Sequence, residues 1–204
     1  MPVVAAIPTV FIMPCNNHSV GENKFLVACF VSASVISLSV FIVPFFLEKN
    51  TVGGLDGNAW KIDYGSRWDR MPPFQRAVYY FGDINCHQKY YRSYFINGNQ
   101  MPVCARDTGM LAGLSLGFFV AMFSTEGKNV KDTVANMFRG RIKGMGIPVA
   151  LLALLILPSV ADGFLQMFTG YESTNIVRTA TGFLLGMGVS LLASIPILTD
   201  PRIK

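Results

Sequence analysis

The chain has 204 residues, of which 51% are hydrophobic and 14% charged, and a mean hydropathy of +0.42, which is too apolar for a soluble domain of this size. Its net charge of +5 does not point to nucleic acid, because five bases crowd into the short connection between the second and third apolar runs, as in a cytoplasmic loop facing anionic lipid, although the long first connection carries eight more. The class that remains is an all-α integral membrane protein of the plasma membrane: a bundle of about four transmembrane helices, with an aromatic interfacial helix or hairpin in its first extracytoplasmic loop.

Residues 1–24 read as a retained N-terminal tail, since neither a basic start nor a small-residue cleavage site is clear; Cys15 and His18 are two isolated metal-binding side chains within it. The uncharged run 25–47 is predicted transmembrane helix 1, because a helix rising about 1.5 Å per residue crosses the hydrocarbon core in roughly 18 to 20 residues. Cys29 within it reads as a small packing residue.

The long connection 48–107 is predicted to lie outside. Glu48 to Arg70 is rich in turn signals (Gly53-Gly54, Asp56-Gly57, Tyr64-Gly65) and carries Trp60 and Trp68, so it reads as a small loop on the membrane surface, ended by Pro72-Pro73. Residues 74–95 hold eight Phe or Tyr, interleaved with Arg76, Asp83, His87, Lys89 and Arg92. Aromatic rings with polar tips favour the headgroup layer, which predicts an interfacial helix, with a fifth imperfect span as the alternative. Asn97-Gly98-Asn99 predicts a turn.

Residues 108–125 are predicted transmembrane helix 2, with Asp107 or Thr108 as N-cap and Gly109, Gly113 and Gly117 at four-residue intervals, a spacing that predicts close helix packing. The loop 126–143 carries Lys128, Lys131, Arg139, Arg141 and Lys143, whereas the connection between the last two runs holds only Arg178. By the positive-inside rule this loop and both termini are cytoplasmic. Residues 144–168 are predicted transmembrane helix 3, 169–178 a short outer loop, 179–199 transmembrane helix 4 with Gly182 and Gly186, and 200–204 a tail.

Two polar constellations stand at the outer ends of these runs. Asp162 and Gln166, four apart, share one helix face, and a carboxylate at membrane depth needs a partner. Arg178 is its nearest base in sequence, just beyond Glu172-Ser173-Thr174-Asn175, a string suited to capping helix 4. The alternatives here are a structural ion pair with caps and a ligand site. In the second constellation Cys86, His87, Cys104 and Asp107 are all metal-ligating types, while an oxidising outer compartment would favour a Cys86–Cys104 disulfide, and free structural thiols are the third reading. Adjacent Cys86 and His87 point about 100° apart on a helix and cannot both hold one ion without a break there. No nucleotide or flavin motif is present, and metal is the one cofactor the residues leave open.

The strings Cys86-His87-Gln88, Arg92-Ser93, Gln100-Met101-Pro102-Val103-Cys104-Ala105-Arg106 and Thr108-Gly109, followed by Asp162-Gly163, Gln166, Glu172 to Asn175, Arg178 and Thr181-Gly182, resemble a prokaryotic integral membrane family catalogued as domain of unknown function 2085. The resemblance covers roughly residues 84 to 186. Where that family usually reads Cys-Ala-Arg-Cys, this chain has Asp107 in the last position, exchanging a soft ligand for a hard one. A weaker resemblance of residues 162–186 to VanZ-like membrane proteins implies a lipid-linked or cell-envelope ligand.

These observations predict a polar site at the outer interface for an anionic lipid or small ligand. Gln166, Arg178, Glu172, Asn175, Arg106, Arg92 and Gln88 would bind it, with Asp162 as the catalytic acid or base if the protein is an enzyme. The alternatives are an accessory subunit docked to other membrane subunits of a respiratory, oxidoreductase or transport complex, and a metal-handling protein. Membrane lipids are the expected partners in every case.

Overall fold

The computed structural model describes residues 23–138, 140 and 144–200. Cys15 and His18 lie outside the described residues. Seven α-helices and one small hairpin are described: α1 (Lys24–Ile42), α2 (Gly65–Trp68), α3 (Pro73–Asn85), β1 (Phe95–Ile96), β2 (Asn99–Gln100), α4 (Ala105–Ala121), α5 (Val130–Met137), α6 (Gly146–Phe168) and α7 (Asn175–Leu198).

The four long helices pack side by side in the order α1, α4, α7, α6. Three of them are long and apolar enough to cross a membrane: α1 with its 3₁₀ extension to Phe46, α6 and α7. The fourth expected span is different. Helix α4 begins at Ala105, which draws Arg106 and Asp107 into its first turn, and it ends at Ala121 after 17 residues. It packs between α1 and α7, with Leu116, Phe119 and Val120 left exposed. The outward faces of α1 and α6 are apolar and bare, at Val35, Leu38, Leu154, Leu157 and Phe164 among others, as a hydrocarbon solvent requires.

The glycine spacing accounts for the tightest contact. A Cβ on Gly109 or Gly113 would lie 2.1 Å from the carbonyl oxygen of Thr179 or Phe183 on α7, and one on Gly182 or Gly186 would lie 2.2 or 2.1 Å from that of Arg106 or Met110 on α4. The two backbones therefore touch through glycine from both sides, the close approach that the four-residue interval predicts. At the far end, Asn23 caps α1 by accepting from Leu26 N at 3.1 Å and donates to Ile197 O at 3.2 Å, so α1 starts where α7 ends.

Residues 43–104 fold over the other end of the bundle as a cap with a core of its own. Val43, Val52, Leu55, Trp68, Tyr79, Met101 and Val103 are buried together, and the Trp68 and Tyr79 rings stack at 4.9 Å. Of the stretch 74–95, expected as an interfacial helix or hairpin, only the first part belongs to a long helix. Helix α3 stops at Asn85, Cys86 is extended, and the chain turns back through Gln88, whose φ is +49°. The aromatic residues are amphipathic because α3 buries Val78, Tyr79, Gly82 and Asp83 against the cap.

Backbone bonds such as Gly57 N–H to His87 O and Tyr90 N–H to Leu55 O tie the loops of the cap together, and buried polar side chains satisfy further loop groups. Asp83, 1% exposed, accepts Trp68 Nε1 at 2.7 Å and the amides of Tyr64 and Asp63 at 3.0 and 3.2 Å. Asn99 accepts the amides of Thr51 and Val52 and donates to Pro44 O and Glu48 O. The turn expected at Asn97-Gly98 is present, with both residues at positive φ, and it sets Asn99 and Gln100 on β2. Replacing Asn99 with alanine orphans the buried Val52 amide and takes the partner from the more exposed Thr51 amide, and a loss of about 2 kcal/mol is expected in denaturant unfolding of the detergent-solubilised protein.

Candidate functional site

The start of α4, the end of α6, the start of α7 and the loop before it converge beneath the cap, and they carry most of the polar residues singled out in the sequence. Asp162, on the last two turns of α6, is 5% exposed. Its Oδ2 takes the ion pair with Arg106 and accepts Gln166 Nε2 at 2.7 Å and Ser173 Oγ at 3.3 Å. The expected partner of Asp162 was Arg178, and the structure replaces it with Arg106. Because α4 starts three residues earlier than expected, Arg106 is raised on the first turn toward α6, while Arg178 is turned to other groups.

Arg178, itself only 3% exposed, donates to Gln166 Oε1 at 3.2 Å, Glu172 Oε1 at 2.9 Å and Asn175 Oδ1 at 3.2 Å. Arg92 reaches the same Glu172 oxygen from the cap at 2.8 Å. Thr174 is the N-cap of α7, accepting from Val177 N, so the capping expected of this string is present, although α7 begins at Asn175 rather than at residue 179. Cap and bundle are also joined by Tyr94, whose hydroxyl contacts Asn175 O at 3.1 Å and Thr179 Oγ1 at 2.9 Å.

Three arginines thus face two carboxylates in one connected network. Partial burial raises the Glu172 carboxyl, but Arg92 and Arg178 more than offset this and hold it below its usual range. A carboxyl lowered by folding stabilises above its unfolded value and loses that contribution as pH falls through the folded one. The stability difference between the wild type and Glu172→Gln should therefore be full above pH 4.5 and vanish as pH is lowered further, as read from thermal unfolding across a pH series.

An apolar groove of about 830 Å³ opens beside the network, lined by Phe41 of α1, Ala112 of α4, Ala180 and Phe183 of α7 and Phe95 of β1. Tyr94 and Thr179 line it too, so the groove begins where the polar network ends. Arg106 Nε is buried and has no hydrogen-bond partner.

Gln88 does not belong to this site. It is fully buried in the cap, where Nε2 donates to Pro102 O at 2.8 Å. Nor do the four expected metal ligands all converge. His87 is exposed and turned away, because the chain is extended at Cys86 and adjacent side chains diverge. Cys86, Cys104 and Asp107 do come together, their ligand atoms all within 4.8 Å of one another. Both cysteines are free thiols. The Cys104 side chain beside it, together with burial and the Asp107 charge, pushes the Cys86 thiol far above its ordinary range. Neither Asp107 nor Thr108 caps α4. Cys104 holds that position, and Thr108 Oγ1 bonds back to its carbonyl at 3.0 Å.

Sequence reasoning missed Ser173 as an Asp162 ligand and Tyr94 as the clasp between cap and bundle. Ser173 was legible only as part of a capping string. Tyr94 was one aromatic among eight.

Comparison with known proteins agrees with the membrane assignment. The chain is 27% identical over 167 residues to an uncharacterized protein of Methanocaldococcus jannaschii, covering 82% of this chain and 88% of that protein. It is 33% identical over 110 residues to an uncharacterized protein of Methanothermobacter thermautotrophicus, covering 54% of this chain and 85% of the relative. No solved structure matches it. Residues 86–192, which span the last third of the cap, α4, α5, α6 and most of α7, match the family model described as predicted membrane protein (DUF2085), and the chain belongs to that family.

Proposed function

We propose that the protein is a four-span plasma-membrane protein that binds an anionic amphiphile, of phospholipid-like chemistry, at the junction of its cap and bundle. The cap faces outside and both termini face the cytoplasm, a reading supported by Lys128 and Lys131 at the end opposite the cap. In this reading α4, although short, is the fourth span, held between α1 and α7 with Leu116, Phe119 and Val120 facing lipid.

The observation that carries the proposal is that Tyr94, which lines the apolar groove, bonds to Asn175, the residue that also receives Arg178 of the network. Arg106 uses one terminal nitrogen on Asp162 and leaves Nε unpartnered, and the three arginines exceed the two carboxylates by one charge. An anionic headgroup meets that surplus, and its tail lies in the groove among Phe41, Ala112 and Phe183. Asp162 holds Arg106 in place and is the group from which acid or base chemistry on a bound headgroup would start.

Native mass spectrometry in nanodiscs containing phosphatidylglycerol and phosphatidylcholine tests this. The wild type should retain phosphatidylglycerol preferentially, and Ala112→Trp, which fills the groove, should lose that preference. Equal retention of both lipids, or an unchanged preference in Ala112→Trp, would overturn the reading. A stoichiometric membrane subunit co-purifying in place of lipid would establish the accessory-subunit alternative.

A further inference from the structure

The thiols of Cys86 and Cys104 and the carboxylate of Asp107 are brought together by the end of one helix and the start of another. Cys86 ends α3 and Cys104 caps α4, while Asp107 stands in the first turn of α4, one turn beyond Cys104. Their ligand atoms are mutually within 4.8 Å, a separation that donors around one tetrahedral ion can close with small side-chain movements.

The surroundings of the sulfurs are as informative as their spacing. Cys86 Sγ accepts the backbone N–H of Cys104 at 3.2 Å and that of Gln88 at 3.5 Å. Gln88 reaches that position only by adopting a φ of +49°, a left-handed conformation that a non-glycine residue adopts uncommonly. With no ion bound, Cys104, burial and Asp107 keep the Cys86 thiol protonated; the two amides aimed at its sulfur are the donors a thiolate would accept once a cation offsets that crowding. Cys104 Sγ lies 3.2 Å from Asp107 Oδ2, and both are near the N-terminus of a 17-residue helix, where negative charge is favoured. Cys86 is buried whereas Cys104 and Asp107 are partly exposed, so the cluster has a route for an ion to enter.

We propose that Cys86, Cys104 and Asp107 bind one zinc ion, with the fourth tetrahedral position left to water or an added ligand. Two sulfurs and one carboxylate favour zinc over the hard ions magnesium and calcium, and the carboxylate disfavours copper(I), which prefers sulfur alone. Binding releases the two thiol protons, and the resulting thiolates and carboxylate bring three negative charges to the two of the ion. The ion also pins the end of α3 to the start of α4, and so the cap to the bundle. This site is separate from the proposed lipid site: Arg106 faces Asp162, while Asp107, the next residue, faces the sulfurs.

The full chain, purified under reducing conditions through a tag without histidine, should carry one zinc by elemental analysis. Replacement of zinc by cobalt should give the near-ultraviolet absorption of cobalt–thiolate bonds. Cys104→Ser should bind at least about 100-fold more weakly, the upper end of what losing even a supporting partner costs, and Asp107→Cys should retain the ion with stronger thiolate absorption. Asp107→Ala, a substitution at a partly exposed position, keeps the test open if the cysteine variants do not fold, and it should also lower zinc content. Zinc absent from the wild type, zinc content unchanged in both Cys104→Ser and Asp107→Ala, or a Cys86–Cys104 disulfide found by mass spectrometry after alkylation of the native protein would each overturn the proposal.

Discussion

Replacing Gly113 with valine is expected to separate α4 from α7 and leave little folded protein. A Cβ at this position would meet Phe183 O at 2.1 Å and Met187 N at 2.9 Å, both main-chain atoms that no rotamer change can move. Across the contact, a Cβ on Gly186 would meet Met110 O at 2.1 Å. The helices can admit a side chain only by moving apart along their whole length, which also strips the contacts at Gly109 and Gly182. Overpacking a well-fitted interior costs about 1–3 kcal/mol where side chains can adjust, and here they cannot, so a loss above about 3 kcal/mol is expected. Thermal unfolding and the monodisperse fraction in detergent would show it. Gly146, which has nothing within 4 Å of its Cβ position, provides the control, and its change to alanine should alter stability by no more than about 0.5 kcal/mol.

Removing Arg106 is the second substitution expected to be severe. Arg106→Ala strands the Asp162 carboxylate, which is 6% exposed and retains only Gln166 and Ser173 as donors. Breaking one side of a buried pair costs about 3–5 kcal/mol, and the 28% exposure of the Arg106 side chain places this one near the lower limit. Arg106→Lys should recover only part of the loss, since an ammonium lacks the planar fork of the guanidinium. The double variant Arg106→Leu with Asp162→Leu should be much less destabilised than the sum of the single leucine variants. A double-mutant cycle on unfolding free energies would give that coupling, and additivity would show that the pair contributes nothing.

The helix contacts of this protein were readable in its sequence, and the electrostatic pairing was not. Glycines four apart in two apolar runs state a close approach directly, since the spacing is that of one helix face and the missing Cβ is the approach itself. The partner of Asp162 depends on which helix ends meet, and Arg106 is 56 positions away in the chain. Reading α4 from the first uncharged residue placed its start at residue 108 and left Arg106 and Asp107 in a loop. Their charges are in fact the polar first turn of the helix, where both polar clusters are assembled. The cap was misread for a related reason. Asp83, Asn99 and Gln100 are polar in composition yet buried in position, and what makes burial tolerable is a set of loop amides that no periodicity reveals. Trp68 looked like a surface aromatic because the carboxylate that receives its indole N–H lies 15 residues further on.

The glycine seam has a mechanical consequence. With backbone against backbone, α4 cannot roll about its own axis or slide by a fraction of a turn past α7 without collision, so it moves as one body with α7 or not at all. Its first turn carries Arg106 toward one centre and Asp107 toward the other. A rigid mount of that kind would couple the two proposed centres: a pull on the arginine by a bound anion would be felt, through a single peptide unit, as a displacement of the carboxylate beside the thiols.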